Sequence, residues 1–339
     1  MVMSWIVFAL SGAAIVFAGT KLSHYGDQIA ELTKLGRLWI GVVLMAAATS
    51  LPEVLTTISA AVMHAPDLAA GDLFGAGMAN MLTLGLIDLL HRRKRVWQQA
   101  ALEQTLVAGL AMFLTALAAF FVLFRGEMSH AGIGLGSLAL LLLYALGMRL
   151  VFRQEDVKRR QREQTVLAKA ESETDSLLVR ASRREGLRRA GLGFGAATLA
   201  LLLAAPFLAG SAKDIAEQTG VSSGFIGTSL VAIVTTLPEF VTSLVAVRLG
   251  AFDLAVGNLF GSVAFNMAAF AFADVAYREG PILSTISSMH ALTALWSILL
   301  MNVGLMGIIY RVEKRYFLIE PDSFVMILGY VIGLWVLLR

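Results

Sequence analysis

Residues 41–88 return at residues 227–274 without a gap, an offset of 227 − 41 = 186 positions. At that offset Gly41, Thr49, Leu51, Pro52, Glu53, Thr56, Asp67, Gly71, Phe74, Gly75, Asn80 and Asp88 fall on Gly227, Thr235, Leu237, Pro238, Glu239, Thr242, Asp253, Gly257, Phe260, Gly261, Asn266 and Asp274. Two apolar stretches share Leu, Ala and Val by chance. They do not by chance share a carboxylate directly after a proline and an amide 27 positions beyond it. A duplicated unit therefore organises the chain, and any fold must accommodate two copies of it.

Of the 339 residues, 58% are hydrophobic and 15% charged, against an apolar share of about 45–50% in soluble domains. The chain reads as an integral membrane protein. Apolar runs of spanning length, about 20 residues, fall at 3–20, 39–63, 68–90, 100–124, 130–152, 190–209, 224–249, 253–277, 286–310 and 322–338. The fold class expected is therefore all-α, because hydrocarbon offers the backbone no partner outside its own helix. Period-two alternation of the kind a barrel needs is missing. The first run has no basic residues ahead of it and leads straight into Thr20 and Lys21, so it reads as a span and not as a secretion signal.

Basic residues set the orientation. The connections after spans 1, 3, 5, 7 and 9 hold Lys21, Lys34, Arg37, Arg92, Arg93, Lys94, Arg95, the run from Arg149 to Arg189, Arg248, Arg311, Lys314 and Arg315; the other side holds Arg125, Lys213, Arg278 and Arg339. This bias predicts that the first side is cytoplasmic and that both termini lie outside. Five spans per copy is an odd number, so the second copy enters the membrane from the opposite face. The expected architecture is ten transmembrane helices in two inverted five-helix repeats, 1–152 and 190–339, with α-repeats 41–90 and 227–276. A charged cytoplasmic connector, 153–189, joins them. Its mixed Arg, Glu and Asp read as a solvated helix near anionic head groups. Inverted repeats are the architecture of secondary transporters, whose sites lie near the bilayer midplane.

Both copies place chemistry at that depth. Pro52 and Pro238 each remove a backbone donor and clash with the carbonyl four residues back, Ala48 and Val234, which opens the ladder around Thr49 and Thr235. The next residue is a carboxylate, Glu53 or Glu239. A charge at membrane depth is costly unless it is paired or bound to a cation, and no Lys or Arg lies near that depth in either span. A metal ion is the expected partner. The rest of each copy, Gly71-Asp72-Leu73-Phe74-Gly75 with Asn80 and Gly257-Asn258-Leu259-Phe260-Gly261 with Asn266, supplies glycines four apart for close helix approach and uncharged amide oxygens. Ser262 adds a hydroxyl that Ala76 cannot.

The donors so collected are Glu53, Glu239, Asn80, Asn266, the hydroxyls of Ser50, Thr236 and Ser262, and backbone carbonyls. An all-oxygen set suits a hard cation such as Ca²⁺, whereas Zn²⁺ or Cu²⁺ would want His or Cys. The chain has no Cys, and His24, His64, His91, His130 and His290 sit near helix ends without clustering. They read as interfacial residues. Asp67, Asp253, Asp88 and Asp274 read as capping residues in contact with water, and Asp72, opposite Asn258, reads as a residue lining an access path. No nucleophile with a His base is visible, which argues against an intramembrane enzyme, and nothing points to nucleic acid or a cofactor.

The motifs Ala-Thr-Ser-Leu-Pro-Glu (48–53) with Gly-Asp-Leu-Phe-Gly…Asn (71–80), and Val-Thr-Thr-Leu-Pro-Glu (234–239) with Gly-Asn-Leu-Phe-Gly-Ser…Asn (257–266), resemble the α-repeats of the calcium/cation antiporter superfamily, closest to its sodium/calcium exchanger branch. The resemblance implies a multi-pass protein of a prokaryotic inner (plasma) membrane that exports Ca²⁺ against Na⁺ or H⁺. It makes Glu53 and Glu239 the central ligands, Asn80 and Asn266 the flanking ones, and Thr49, Thr235, Ala46 and Ala232 donors of backbone carbonyls. Prokaryotic members of that branch typically carry Asp where this chain has Asn266 and a hydroxyl residue where it has Ala76, so two carboxylates with two amides look more like the proton-coupled branch. A transported divalent ion other than Ca²⁺, or a chain that keeps the fold without exchange, are the alternatives.

Overall fold

A computed structural model describes residues 1–33, 48–90, 104–126, 129–130, 133–166, 177–309 and 321–338. The helices are α1 (Val2–Thr33), α2 (Leu51–Val62), α3 (Pro66–Leu90), α4 (Gln104–Phe124), α5 (Leu135–Val166), α6 (Leu177–Thr219), α7 (Ser223–Arg248), α8 (Phe252–Ala276), α9 (Met289–Ile309) and α10 (Pro321–Leu337). Among the described residues, seven are long and apolar enough to cross a membrane, and the shorter apolar helices are Leu51–Val62, Leu135–Val151 and Asp322–Leu337. A two-residue antiparallel pairing, Ser129–His130 with Ile133–Gly134, lies between α4 and α5. The protein is an all-α membrane protein.

α3 and α8 form the centre. Each is apolar or small all round, which marks a helix surrounded by protein, and 78% of the most apolar window of each is buried, against 33–50% for the other spanning helices. α3 packs on α7, α8 and α9, α8 on α4 and α5, and α1 lies along α6. The outer helices turn Phe113, Phe120, Leu146, Leu203, Phe207 and Met306 outward, the large apolar surface that a lipid-facing wall requires.

The glycines of the first copy do what their spacing predicts. A Cβ on Gly71 would collide with the carbonyl oxygen of Gly224, and one on Gly75 with the backbone of Thr228. Without side chains there, α3 and α7 touch backbone to backbone. The proline-opened ladder is realised differently in the two copies. In the first, the helix breaks at Ser50 and restarts with Pro52 in its first turn, where a missing N–H costs nothing. In the second, α7 runs through Pro238, and the irregularity is a π-helical turn, Gly227–Val231, upstream of it. Where described, the connector 153–189 is helical, continuing α5 to Val166 and beginning α6 at Leu177.

Several readings of single residues change. Asp88 and Asp274 are buried. Asp88 accepts from the hydroxyl of Ser323 at 2.6 Å. Asp274 accepts from the backbone N–H groups of Gly134 and Ile282, each at 2.7 Å. They fasten neighbouring segments instead of meeting water. His290 is also buried, with Nε2 at 3.1 Å from Asp67 Oδ1, so it is no interfacial residue. His64 fits the surface reading, paired with Glu279 at 2.8 Å. His91 lies outside the described residues.

Candidate cation-binding site

Polar side chains gather in three layers across the core, where α2, α3, α7 and α8 meet. The middle layer brings together most of the residues that the sequence singles out as candidate ligands. Glu53, Ser50, Asn80, Glu239, Ser262 and Asn266 are 0% exposed and Thr236 is 2%. Ser50 Oγ lies 2.6 Å from Ser262 Oγ, and both hydroxyls donate to Glu239 Oε1 at 3.4 Å. Asn80 Nδ2 donates to Ser262 Oγ at 3.4 Å. Thr236 donates its hydroxyl back to the carbonyl of Ala232. Ala232 and Thr235 are fully buried on α7 beside this layer; Ala46 lies outside the described residues.

The remaining capacity of these groups is the informative feature. Glu53 Oε1 and Oε2, Glu239 Oε2, Asn80 Oδ1 and both polar atoms of Asn266 are buried without a hydrogen-bond partner. A native interior leaves few such atoms, and each costs about 1–3 kcal/mol. Here they cluster on residues of both copies, beside the break that the first copy makes at Ser50. Among the described residues no Lys or Arg ion pair reaches Glu53 or Glu239. Nor do three His, Cys, Asp or Glu side chains come together as a metal-binding group, so a cation bound here must also draw on amides, hydroxyls and carbonyls.

The two flanking layers are related by the 186-residue offset. On one side, Asp72 accepts from Thr57 Oγ1 at 3.3 Å and from Thr235 Oγ1 at 2.9 Å. On the other, Asn258 accepts from Thr49 Oγ1 at 3.2 Å and donates to Ser243 Oγ at 3.2 Å. Thr57 and Ser243 are equivalents, as are Thr235 and Thr49. Each layer thus joins a residue of one copy to a threonine of the other. Asp72 is 1% exposed, so it belongs to the buried polar core in this structure. Thr57 and Ser243 escaped the sequence reading. They lie four residues after Glu53 and Glu239, one helical turn on the same face, and that spacing was the available signal.

Beyond the Asp72 layer, a cavity of about 570 Å³ is lined by Asp67, Ser222, Thr228, His290 and Thr293. At the other end a cavity of about 310 Å³ is lined by Thr20, Ser23, Asp27 and Thr242. The stacked polar layers therefore lie between two recesses, each large enough for several waters.

With that geometry in place, the comparisons are informative. The sequence profile described as "Sodium/calcium exchanger protein" matches residues 3–153 and 190–339, two stretches that leave out the connector. The inner membrane protein YrbG of Escherichia coli (strain K12) is 28% identical over 254 residues, 75% of this chain and 73% of its own. Native YfkE shares the fold with a TM-score of 0.68 at 18% identity, over 99% of this chain and 94% of that one. The H⁺/Ca²⁺ exchanger CAX does so with a TM-score of 0.65 at 14% identity, over 98% and 88%.

Proposed function

The chain belongs to the sodium/calcium exchanger protein family, and from that premise we propose that it is a secondary active antiporter that exports Ca²⁺ in exchange for a monovalent cation, H⁺ or Na⁺. The observation that carries this reading is the set of unpartnered buried atoms on Glu53, Glu239, Asn80 and Asn266. Ca²⁺ takes about six to eight oxygens from carboxylates, amides and carbonyls in flexible geometry. The middle layer offers that mixture, with Ser50, Ser262 and Thr236 and the carbonyls near Thr49, Thr235, Ala46 and Ala232 as further donors. Binding supplies the countercharge that two buried carboxylates otherwise lack.

Transport follows from the symmetry. Ten spans arranged as two inverted repeats, 1–152 and 190–339, give two ways of closing the same site related by a pseudo-two-fold axis, so rocking one arrangement into the other exposes the ion to alternate faces. The hydrogen bonds from Thr49 to Asn258 and from Thr235 to Asp72 support that pseudo-symmetry, since they join the copies through equivalent residues. The Lys and Arg bias supports external termini and a cytoplasmic 153–189 connector in an inner (plasma) membrane. Reporter fusions within the connector and after Arg339 should report opposite sides; finding both on one side would remove the inversion.

The function is tested by ⁴⁵Ca²⁺ flux into proteoliposomes under imposed Na⁺ or pH gradients. Gradient-driven, saturable uptake is expected. Uptake absent under both gradients would mean an exchange-inactive chain, and uptake of another divalent ion in preference to Ca²⁺ would reassign the substrate.

A further inference from the structure

One buried carboxyl group has no part in that scheme. Asp72 sits in a layer of its own, 1% exposed, bonded to Thr57 and Thr235, with no Lys or Arg ion pair among the described residues. Its equivalent across the repeat, Asn258, makes the same kind of bridge with a neutral amide. The bridging role therefore does not require a negative charge. A carboxylate where an amide suffices structurally adds desolvation cost, and the cost needs another return.

We infer that Asp72 is the third anionic group of the cation site: it touches no ion itself but sets, through its field, how tightly the middle layer holds a divalent cation. The inference rests on the transport reading above. Asp72 lies eight residues before Asn80 on α3, about 12 Å at the rise of an α-helix. At an effective dielectric of about 20, a unit charge at that distance changes the binding of a monovalent cation about tenfold and of a divalent one about a hundredfold. That range needs no coordination, only a buried charge shielded from water. Thr57, which donates to Asp72, lies four residues after Glu53 on α2, one helical turn on the same face, so the Asp72 layer adjoins the middle one.

The repeat supplies an unusual control. Asn258 lies eight residues before Asn266, as Asp72 does before Asn80, so a carboxylate placed there sits at a matching distance on the far side of the site. The assay is ⁴⁵Ca²⁺/Ca²⁺ exchange in proteoliposomes at fixed pH, which needs no counter-ion, with half-saturating Ca²⁺ as the readout. Asp72→Asn should raise half-saturation at least tenfold with little loss of maximal rate. The double variant Asp72→Asn/Asn258→Asp should return it to within a few-fold of the unmodified protein. A residue that served only to hold Thr57 and Thr235 would not be rescued by a charge two layers away. Failure of the rescue, or an unchanged half-saturation in Asp72→Asn, overturns the inference. If Asp72→Asn does not fold, Asn258→Asp alone should lower half-saturation at least tenfold, and its failure to do so overturns the inference equally. Glu53→Gln separates the two readings. Exchange that persists in that variant defeats the assignment of the transport site, whereas exchange lost there but insensitive to position 72 defeats only the third charge.

Discussion

In the first copy of the repeat, Gly71 and Gly75 lie against the backbone of α7; in the second, Gly257 faces the amide end of Gln104, a side chain that can give way. The first copy carries a carboxylate at 72 and a methyl at Ala76, and the second an amide at 258 and a hydroxyl at Ser262. Against these differences, Glu53 and Glu239, Asn80 and Asn266, and Thr49 and Thr235 match in identity and in complete burial. Duplication has kept the groups that would hold the ion and released the groups around them. A site used from two faces needs the same ligands in both copies, but packing and field can be set on one side alone.

The sharpest way to break the comparison is at its shared centre. Glu53→Gln and Glu239→Gln should each lower ⁴⁵Ca²⁺ exchange at least a hundredfold, to a similar level, because each removes one of the two buried charges that face the ion. Size-exclusion profiles and melting temperatures should stay near those of the unmodified protein, since a buried charge without an ionic partner is lost. One variant retaining wild-type exchange would mean that the copies are not equivalent even here.

The glycines should separate the copies next. Gly75→Ala drives a Cβ into the backbone of Thr228, where no rotamer change gives relief, so it should cost about 1–3 kcal/mol or more and appear as lost detergent-stable protein. Gly257→Ala meets the Gln104 side chain and should melt within a few degrees of the parent. Equal losses would show that the Gln104 side chain gives way no more easily than the α7 backbone.

These contrasts also mark how much was legible in the sequence. The helical class, the repeat and the middle layer were readable, because proline, carboxylate and amide recur at fixed spacing and a buried charge in an apolar run has few explanations. What was not readable depended on contacts between distant segments. Nothing near Asp274 in sequence points to the N–H of Gly134, and nothing near His290 points to Asp67, 223 positions away. The burial of Asp72 was unreadable for a related reason. Its exposure depends on the close approach of α7, which the glycines permit but do not report from sequence.

A smaller difference is expected at the unmatched hydroxyl. Ser262 joins Ser50, Asn80 and Glu239, so Ser262→Ala leaves the buried Asn80 Nδ2 without its partner, at a cost of about 1–3 kcal/mol. Half-saturating Ca²⁺ should rise roughly tenfold on that basis. Ala76→Ser adds an oxygen in the other copy and should change half-saturation less than threefold. A large effect of Ala76→Ser with none of Ser262→Ala would reverse the roles assigned to α3 and α8.

The least change is expected in the choice of driving ion, where the copies differ in the charge at positions 72 and 258. Glu53 and Glu239 alone give a formal charge of −2, which one Ca²⁺ or two H⁺ balance and three Na⁺ exceed; that count underlies the proton preference read from sequence. With Asp72 acting on the same site the count becomes −3, and three Na⁺ no longer leave an excess of positive charge in a low-dielectric interior. The expected result is that a Na⁺ gradient at constant pH drives Ca²⁺ into proteoliposomes at least as fast as an equal pH gradient, and that a proton ionophore leaves this uptake unchanged. Asp72→Asn should move the balance a few-fold toward the pH gradient, and Asn266→Asp a few-fold toward Na⁺, because one removes and the other adds a charge whose field acts on the ion. A wild-type protein driven only by the pH gradient, with Asp72→Asn unaltered in that preference, would return the count to two and leave Asp72 a bridge between Thr57 and Thr235.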